Sequence, residues 1–132
     1  MPIPMPLPAA RPVERTGYTC ACCGHRTMAD FPGSHAICQV CFWQDDPVQI
    51  LDPAREGGAN RPSLIECQAS YALCGAAERR FVSDVRPPDP DEPRDPFWRP
   101  ATVLDAQGAR APGDLGDDEA ATLRTWHYWL NG

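Results

Sequence analysis

Two short stretches decide the predicted fold of this chain: CACCG at residues 20–24 and CQVC at residues 38–41. Each holds a Cys-x-x-Cys pair, and fourteen residues separate the two pairs. A tight turn with cysteines three positions apart delivers two sulfur atoms from one side, and a tetrahedral zinc site needs four thiolates at about 2.3 Å from the metal. The sequence therefore predicts one structural Zn²⁺ ion, bound by Cys20, Cys23, Cys38 and Cys41.

Three nearby residues are alternative ligands. Cys22 is adjacent to Cys23, and neighbouring side chains diverge in an extended turn, so we expect a free thiol there; it is the first candidate to replace a ligand. His25 or His35 would give a three-Cys-one-His site, and each is otherwise expected on the surface of a hairpin. The rival chemistry is a redox Cys-x-x-Cys, but no βαβ pattern surrounds the cysteines.

Composition points to a reducing compartment. An odd number of cysteines, seven, cannot all form disulfides. Residues 1–10 lack the basic start and continuous apolar stretch of a secretory signal, and no apolar run approaches the roughly 20 residues that span a bilayer. We therefore expect a cytoplasmic protein, without a membrane association, in which clustered cysteines bind metal.

Charge and residue usage bear on source and partners. All twelve basic residues are arginine, which is typical of GC-rich coding and suggests a bacterial source. The formal charge is −6. Binding to a polyanion depends largely on basic charge, so nucleic acid is disfavoured as the main partner.

Proline-rich stretches divide the chain into four predicted parts. Residues 1–15 form a disordered, polyproline-like arm, and residues 16–88 form the cysteine-rich domain. Residues 89–116 are rich in Pro, Asp and Gly and are predicted to be a linker. Residues 117–132 begin with acidic residues and then show an apolar face, which predicts a C-terminal helix. The folded part is short for a self-sufficient core and needs a staple such as a metal ion.

The predicted fold class is α+β: a small zinc-ribbon β-hairpin followed by two short helices. Residues 26–28 and 36–37 are the strand candidates of the hairpin, because residues 30–34 between them have strong turn chemistry. Residues 47–62 contain three prolines and a Gly-Gly pair, which predicts an irregular loop.

Local signals define the helices that follow. Ser63 and Glu66 form a capping box, and apolar residues at three- and four-residue spacing predict a helix over residues 63–74. Gly75 is expected to end it. A second short helix is predicted at about residues 76–85.

The order of these motifs resembles the bacterial cysteine-rich CPCC domain family. The resemblance covers residues 17–88. Besides the two cysteine motifs, it rests on FWQDD at residues 42–46, GGAN at residues 57–60, and RF followed by VRPP within residues 80–88.

Three positions depart from the family pattern. Ala21 and Gln39 stand where the family has proline, and Gln44 stands where it has an acid. Losing the two prolines loosens both turns but removes no ligand, and Gln44 weakens any acid–base role for that position. The resemblance implies a small, metal-binding bacterial domain, and it implies no particular activity.

Our main hypothesis is a non-catalytic zinc-binding module that contacts another protein. One specific form is an immunity or accessory protein of a bacterial toxin system, since acidic charge suits a basic nuclease toxin. The candidate interaction surface comprises Trp43, Asp45, Asp46, Asn60, Trp126 and Trp129.

Two other classes of function remain open. A metal-dependent or hydrolase-like enzyme would use Asp45 and Asp46, with Glu56, beside the metal turn. A nucleic-acid-binding zinc ribbon is the third hypothesis, and the acidic charge disfavours it.

Overall fold

The computed structural model describes residues 17–108 and 127–130. Pairing of extended backbone in these residues is limited to three isolated antiparallel bridges. The fold is therefore small and mixed, with few helices and very little strand. The helices are α1 (Pro47–Leu51), α2 (Leu64–Cys74) and α3 (Val103–Gly108), and 3₁₀ turns lie at Arg79–Phe81 and Tyr128–Leu130.

The predicted hairpin between the two cysteine pairs is not formed in this structure. Met28 bridges to Tyr18, and Ile37 bridges to Gln44. Each strand candidate therefore pairs across its own cysteine turn and not with the other candidate. Strands of only two or three residues offer too short a ladder to hold a separate hairpin together.

Helix α2 begins and ends where its local signals predict. Ser63 Oγ accepts a hydrogen bond from Glu66 N at 3.1 Å, and Glu66 Oε1 accepts one from Ser63 N at 2.8 Å. Gly75 follows the last turn in the left-handed conformation, with φ 80°. The capping box and the C-terminal glycine are local devices, so the sequence alone specified this element.

The second predicted helix, residues 76–85, is reduced to the 3₁₀ turn Arg79–Phe81. Ala77 N donates to Cys41 O at 2.8 Å. This bond ties the start of the predicted helix to the second cysteine turn.

The predicted loop over residues 47–62 contains the short helix α1. Asp46 Oδ1 accepts a hydrogen bond from Val48 N at 2.8 Å, and Pro47 is the first residue of the helix. An N-cap aspartate followed by proline at the first position is a recognised helix start. That signal was present in the sequence and could have predicted the element.

The part of the predicted linker that the structure describes packs on the first cysteine turn, residues 20–24. We call residues 92–101 the covering segment. Asp95 N donates to Gly24 O at 2.8 Å, and Trp98 Nε1 donates to Ala21 O at 2.8 Å. Composition suggested a linker because the stretch is polar, but its buried polar groups are paired with the domain.

The described part of the predicted C-terminal helix also packs on the domain. Tyr128 Oη accepts a hydrogen bond from Gln68 Nε2 at 2.6 Å and donates to Arg99 O at 2.9 Å. Trp129 is buried beside it, so it is not available as part of an interaction surface. Trp126 and the predicted arm, residues 1–15, lie outside the described residues.

The core is built around the cysteine turns. It brings together the two turns, the inner sides of α1 and α2, and the C-terminal aromatic residues. Among the described residues, no helix is long and apolar enough to cross a membrane. The largest fully buried side chains include Trp43, Tyr128, Ile50, Leu64 and Gln49.

Candidate metal centre

Four cysteine sulfurs meet in the interior of the domain. All four lie within 4.8 Å of one another, and all four residues are buried. Cys20 Sγ lies 3.6 Å from Cys41 Sγ, and Cys23 Sγ lies 3.9 Å from Cys38 Sγ. Four sulfurs around a tetrahedral ion with bonds of about 2.3 Å are about 3.8 Å apart, whereas a disulfide requires about 2.05 Å. The spacing fits a metal ion and does not fit disulfides.

Each cysteine pair is held by a turn of the same design. Gly24 N donates to Cys20 O at 2.8 Å in the first turn, and Phe42 N donates to Cys38 O at 2.8 Å in the second. The residue after each pair is left-handed: φ is 79° at Gly24 and 69° at Phe42. This conformation costs a non-glycine residue about 1–2 kcal/mol. The Phe42 ring stacks on Phe81 with centroids 4.8 Å apart, and that contact helps to offset the cost.

Burial and mutual contact set the protonation of the thiols. Burial raises the pKa of the Cys20 and Cys41 thiols well above the ordinary value. Hydrogen bonds from neighbouring thiols, chiefly Cys20, lower the pKa of Cys38. Thr27 Oγ1, at 3.1 Å from Cys38 Sγ, adds to this lowering. Without a metal ion, the cluster therefore favours a thiolate at Cys38 and protonated thiols at the other three cysteines. A bound divalent cation would supply the positive charge that allows all four cysteines to be thiolates.

Comparison with known protein families matches residues 18–92, more than half of the chain, to the family described as cysteine-rich CPCC. The chain belongs to the cysteine-rich CPCC family. The match confirms the resemblance inferred from the motifs and extends it to Glu92. That residue receives a two-pronged contact from Arg86, with N–O distances of 2.7 and 2.9 Å. No curated protein matches the chain.

The alternative ligands of the CPCC domain lie outside the sulfur cluster. Cys22 is buried, but its sulfur is not among the four that converge. His25 Nδ1 lies 2.8 Å from Glu92 O, which occupies one ring nitrogen with the covering segment. His35 is exposed, with φ 68°. The structure brings together the four cysteines predicted from the spacing and none of these three.

Four of the six residues predicted as an interaction surface, Trp43, Asp45, Asp46 and Asn60, are buried inside the CPCC domain. Trp43 is fully buried in the core. Asp46 Oδ2 accepts a hydrogen bond from Ala59 N at 2.8 Å, and Asn60 Oδ1 accepts one from Gln44 N at 2.9 Å. The polar side chains after the second turn hold the 57–60 loop in place. The sequence pattern did not reveal this role, because the hydrogen-bonding partners lie more than ten residues away.

Two residues that support the turns, Thr27 and Trp98, were not predicted from the sequence. Thr27 contacts a ligand sulfur, and Trp98 covers the first turn. A β-carbon added to Gly24 would lie 2.6 Å from the Trp98 ring. The glycine directly after the first pair was a signal of close approach, but nothing local indicated which side chain approaches it.

Asp45 is buried, and only one of its two carboxyl oxygens accepts hydrogen bonds from described residues. Its Oδ2 accepts hydrogen bonds from Ser34 N at 3.0 Å and Ser34 Oγ at 2.8 Å. Its Oδ1 has no hydrogen-bond partner among the residues that the structure describes. Burial raises the pKa of Asp45, and hydrogen bonds from the Gly33 and Ser34 backbone offset this only in part. The domain therefore favours the protonated acid more than water does.

We expect the Asp45 carboxyl to titrate above its ordinary range in the metal-loaded domain. Asp105 is an internal control, because Arg99 at 2.7 Å holds the pKa of that carboxyl below its ordinary value. Carbon-detected NMR compares the two side-chain carboxyls in one sample as pH is lowered over the range in which the metal stays bound. An Asp45 that titrates at or below Asp105 would contradict this account of the buried carboxyl.

The sign of the effect on stability follows from linkage. Between the ordinary and the raised pKa, the folded domain keeps a proton on Asp45 that the unfolded chain has lost. The contribution of Asp45 to stability therefore falls as pH rises through that window, and it stays constant above it. The substitution Asp45→Asn is expected to remove this dependence, and denaturation at several pH values across the window measures it.

Proposed function

We propose that the chain is a zinc-binding domain in which the ion holds the fold and takes no part in catalysis, and that the domain acts through contact with another protein. The structural role of the ion is supported by four buried cysteine residues whose sulfur atoms lie within 4.8 Å of one another. Structural zinc sites are closed by four protein ligands, whereas catalytic zinc sites keep one position for water or substrate. Four cysteines fit the closed class.

The surroundings of the cluster support a structural ion over an enzyme. Asp46 accepts hydrogen bonds from Val48 N, at the start of α1, and from Ala59 N. Asp45 is buried and accepts a hydrogen bond from Ser34 Oγ. Glu56, the third acid of the enzyme hypothesis, is exposed. These carboxylates stabilise loops and do not converge on the sulfur cluster.

Exposed apolar side chains support the proposed contact with a protein. Leu73 on α2 is 83% exposed, Phe97 in the covering segment is 72% exposed, and Leu104 on α3 is 71% exposed. A four-thiolate zinc centre adds two negative charges to an already acidic chain. Charge therefore favours a basic protein, such as a toxin in the bacterial cytoplasm, over nucleic acid.

Metal analysis combined with thiol titration tests the structural-zinc proposal. Protein purified without oxygen should contain one zinc ion per chain. In the folded protein Cys74, which is half-buried, should react first with a thiol reagent, and the buried Cys22 and Cys67 should react slowly. All seven thiols should react once chelator and denaturant are present. Absence of metal, or fewer than seven reactive thiols in the presence of chelator and denaturant, would overturn the proposal.

A further inference from the structure

A groove runs between α2 and the covering segment. Its volume is about 650 Å³, which is within the range of ligand-binding clefts. The walls are mostly apolar and carry two aromatic rings; the lining includes Cys22, Gln68, Tyr71, Ala72, Arg94 and Trp98. None of the four cysteines of the metal cluster lines it. The groove is thus separate from the metal centre.

The groove also carries one cationic donor, Arg94, for which the described residues provide no ion-pair partner. The Arg94 guanidinium lies 5.0 Å above the Trp98 ring and forms no ion pair with another described residue. The Trp98 ring is itself fixed, because its Nε1 donates to Ala21 O. A rigid aromatic wall beside a free cationic donor suits a ligand that offers apolar rings and carbonyl oxygens.

Proline-rich peptide has this chemistry. Proline rings pack on aromatic side chains, and the extended polyproline backbone makes no internal hydrogen bonds, so its carbonyl oxygens are open to donors. The N-terminal arm of this chain has proline at positions 2, 4, 6, 8 and 12, alternating at first with Ile3, Met5 and Leu7. The first ten side chains carry no charge, which matches the mostly apolar walls.

We propose that the groove between α2 and the covering segment binds the chain's own N-terminal proline-rich arm, residues 1–15. The arm joins the described domain at Gly17, beside the covering segment. Thr19 Oγ1 donates to Asp95 Oδ2 at 2.6 Å, and Arg94, the residue before Asp95, lines the groove. An extended segment gains about 3.1 Å per residue, so Pro8 can lie up to about 28 Å from Gly17.

Tethering makes such docking effective even if the contacts are weak. A segment joined by a short linker has an effective concentration of about 1 mM at its site. The arm therefore occupies the groove more than half of the time if its intrinsic dissociation constant is below about 1 mM. This inference requires a folded, metal-loaded domain, but it does not depend on which external protein the domain contacts.

NMR on the full, zinc-loaded chain tests the proposal directly. With labelled Ile and Leu methyl groups, we expect nuclear Overhauser contacts from Ile3 or Leu7 to the ring protons of Tyr71 or Trp98. The triple variant P4A/P6A/P8A should lose these contacts and shift the amide signals of groove residues. The exposed control Pro90→Ala should change neither.

A second variant tests the site from the other side. Ala72→Arg places a long side chain in the groove at an exposed helix position, and it should abolish the same contacts while zinc content stays at one ion per chain. Contacts that persist in either variant, or that are absent from the starting protein, would overturn the proposal. Contacts between labelled and unlabelled copies in a mixed sample would also overturn it, because the arm would then bind a second molecule.

Discussion

Removal of the metal from the four-cysteine centre is expected to unfold the CPCC domain. Structural zinc in small finger domains contributes about 10–16 kcal/mol of apparent binding free energy. A domain of this size typically has a net stability of only about 5–15 kcal/mol, so the contribution of the ion is as large as the whole net stability. Addition of a strong zinc chelator should therefore abolish the cooperative thermal transition followed by circular dichroism, and it should expose the buried Trp43.

Matched cysteine variants separate the metal from the thiols themselves. Cys38→Ser removes a ligand and should reproduce the effect of the chelator. Cys74→Ser makes the same chemical change at a half-buried position outside the cluster and should cost about 1 kcal/mol or less. The prediction fails if metal-free protein retains a cooperative transition at the same midpoint, or if the two serine variants lose similar stability.

The substitution Gly24→Ala is expected to destabilise the zinc-loaded domain by about 2–4 kcal/mol. Two separate costs contribute. The left-handed backbone, with φ 79°, disfavours any residue with a β-carbon. The added β-carbon would also lie 2.6 Å from the Trp98 ring, so the ring or the turn must move. Urea denaturation at fixed free zinc concentration measures the change, because bound ligand otherwise shifts the apparent stability.

Gly57→Ala is the matched control for this substitution. Gly57 is also left-handed, with φ 77°, but no atom of the described residues lies within 4 Å of the β-carbon it would gain. Its expected cost is therefore the backbone term alone, about 1–2 kcal/mol. The excess loss in Gly24→Ala reports the contact with Trp98. Equal losses in the two variants would mean that Trp98 does not constrain the first cysteine turn.

The sequence predicted the features that depend on neighbouring residues. Spacing alone identified the four cysteines that converge, because a Cys-x-x-Cys turn is a local device. The capping box and Gly75 likewise fixed both ends of α2. The start of α1 at Asp46 and Pro47 has the same kind of local signal. The prolines and glycines that follow it favour a loop, and a loop was therefore the prediction for residues 47–62.

The remaining features depend on contacts between distant residues. Trp98 finds Gly24 across more than seventy positions, and Asp95 accepts a hydrogen bond from Thr19 across a similar distance. A stretch rich in Pro and Asp has the composition of a linker, and only its partners show that it belongs to the core. The buried Asp45 was misjudged for a related reason, since a charged residue is expected on the surface until its partners are known.

The covering segment also constrains the order in which the protein can mature on the ribosome. Cys41, the last of the four ligands, is made well before Trp98. Ribosomes add about 5–20 residues per second, so the interval is on the order of several seconds. During that time the nascent chain has all four thiols but not the segment that covers the first turn. A metal ion can therefore enter while the turn is uncovered, and synthesis of the covering segment then encloses the site.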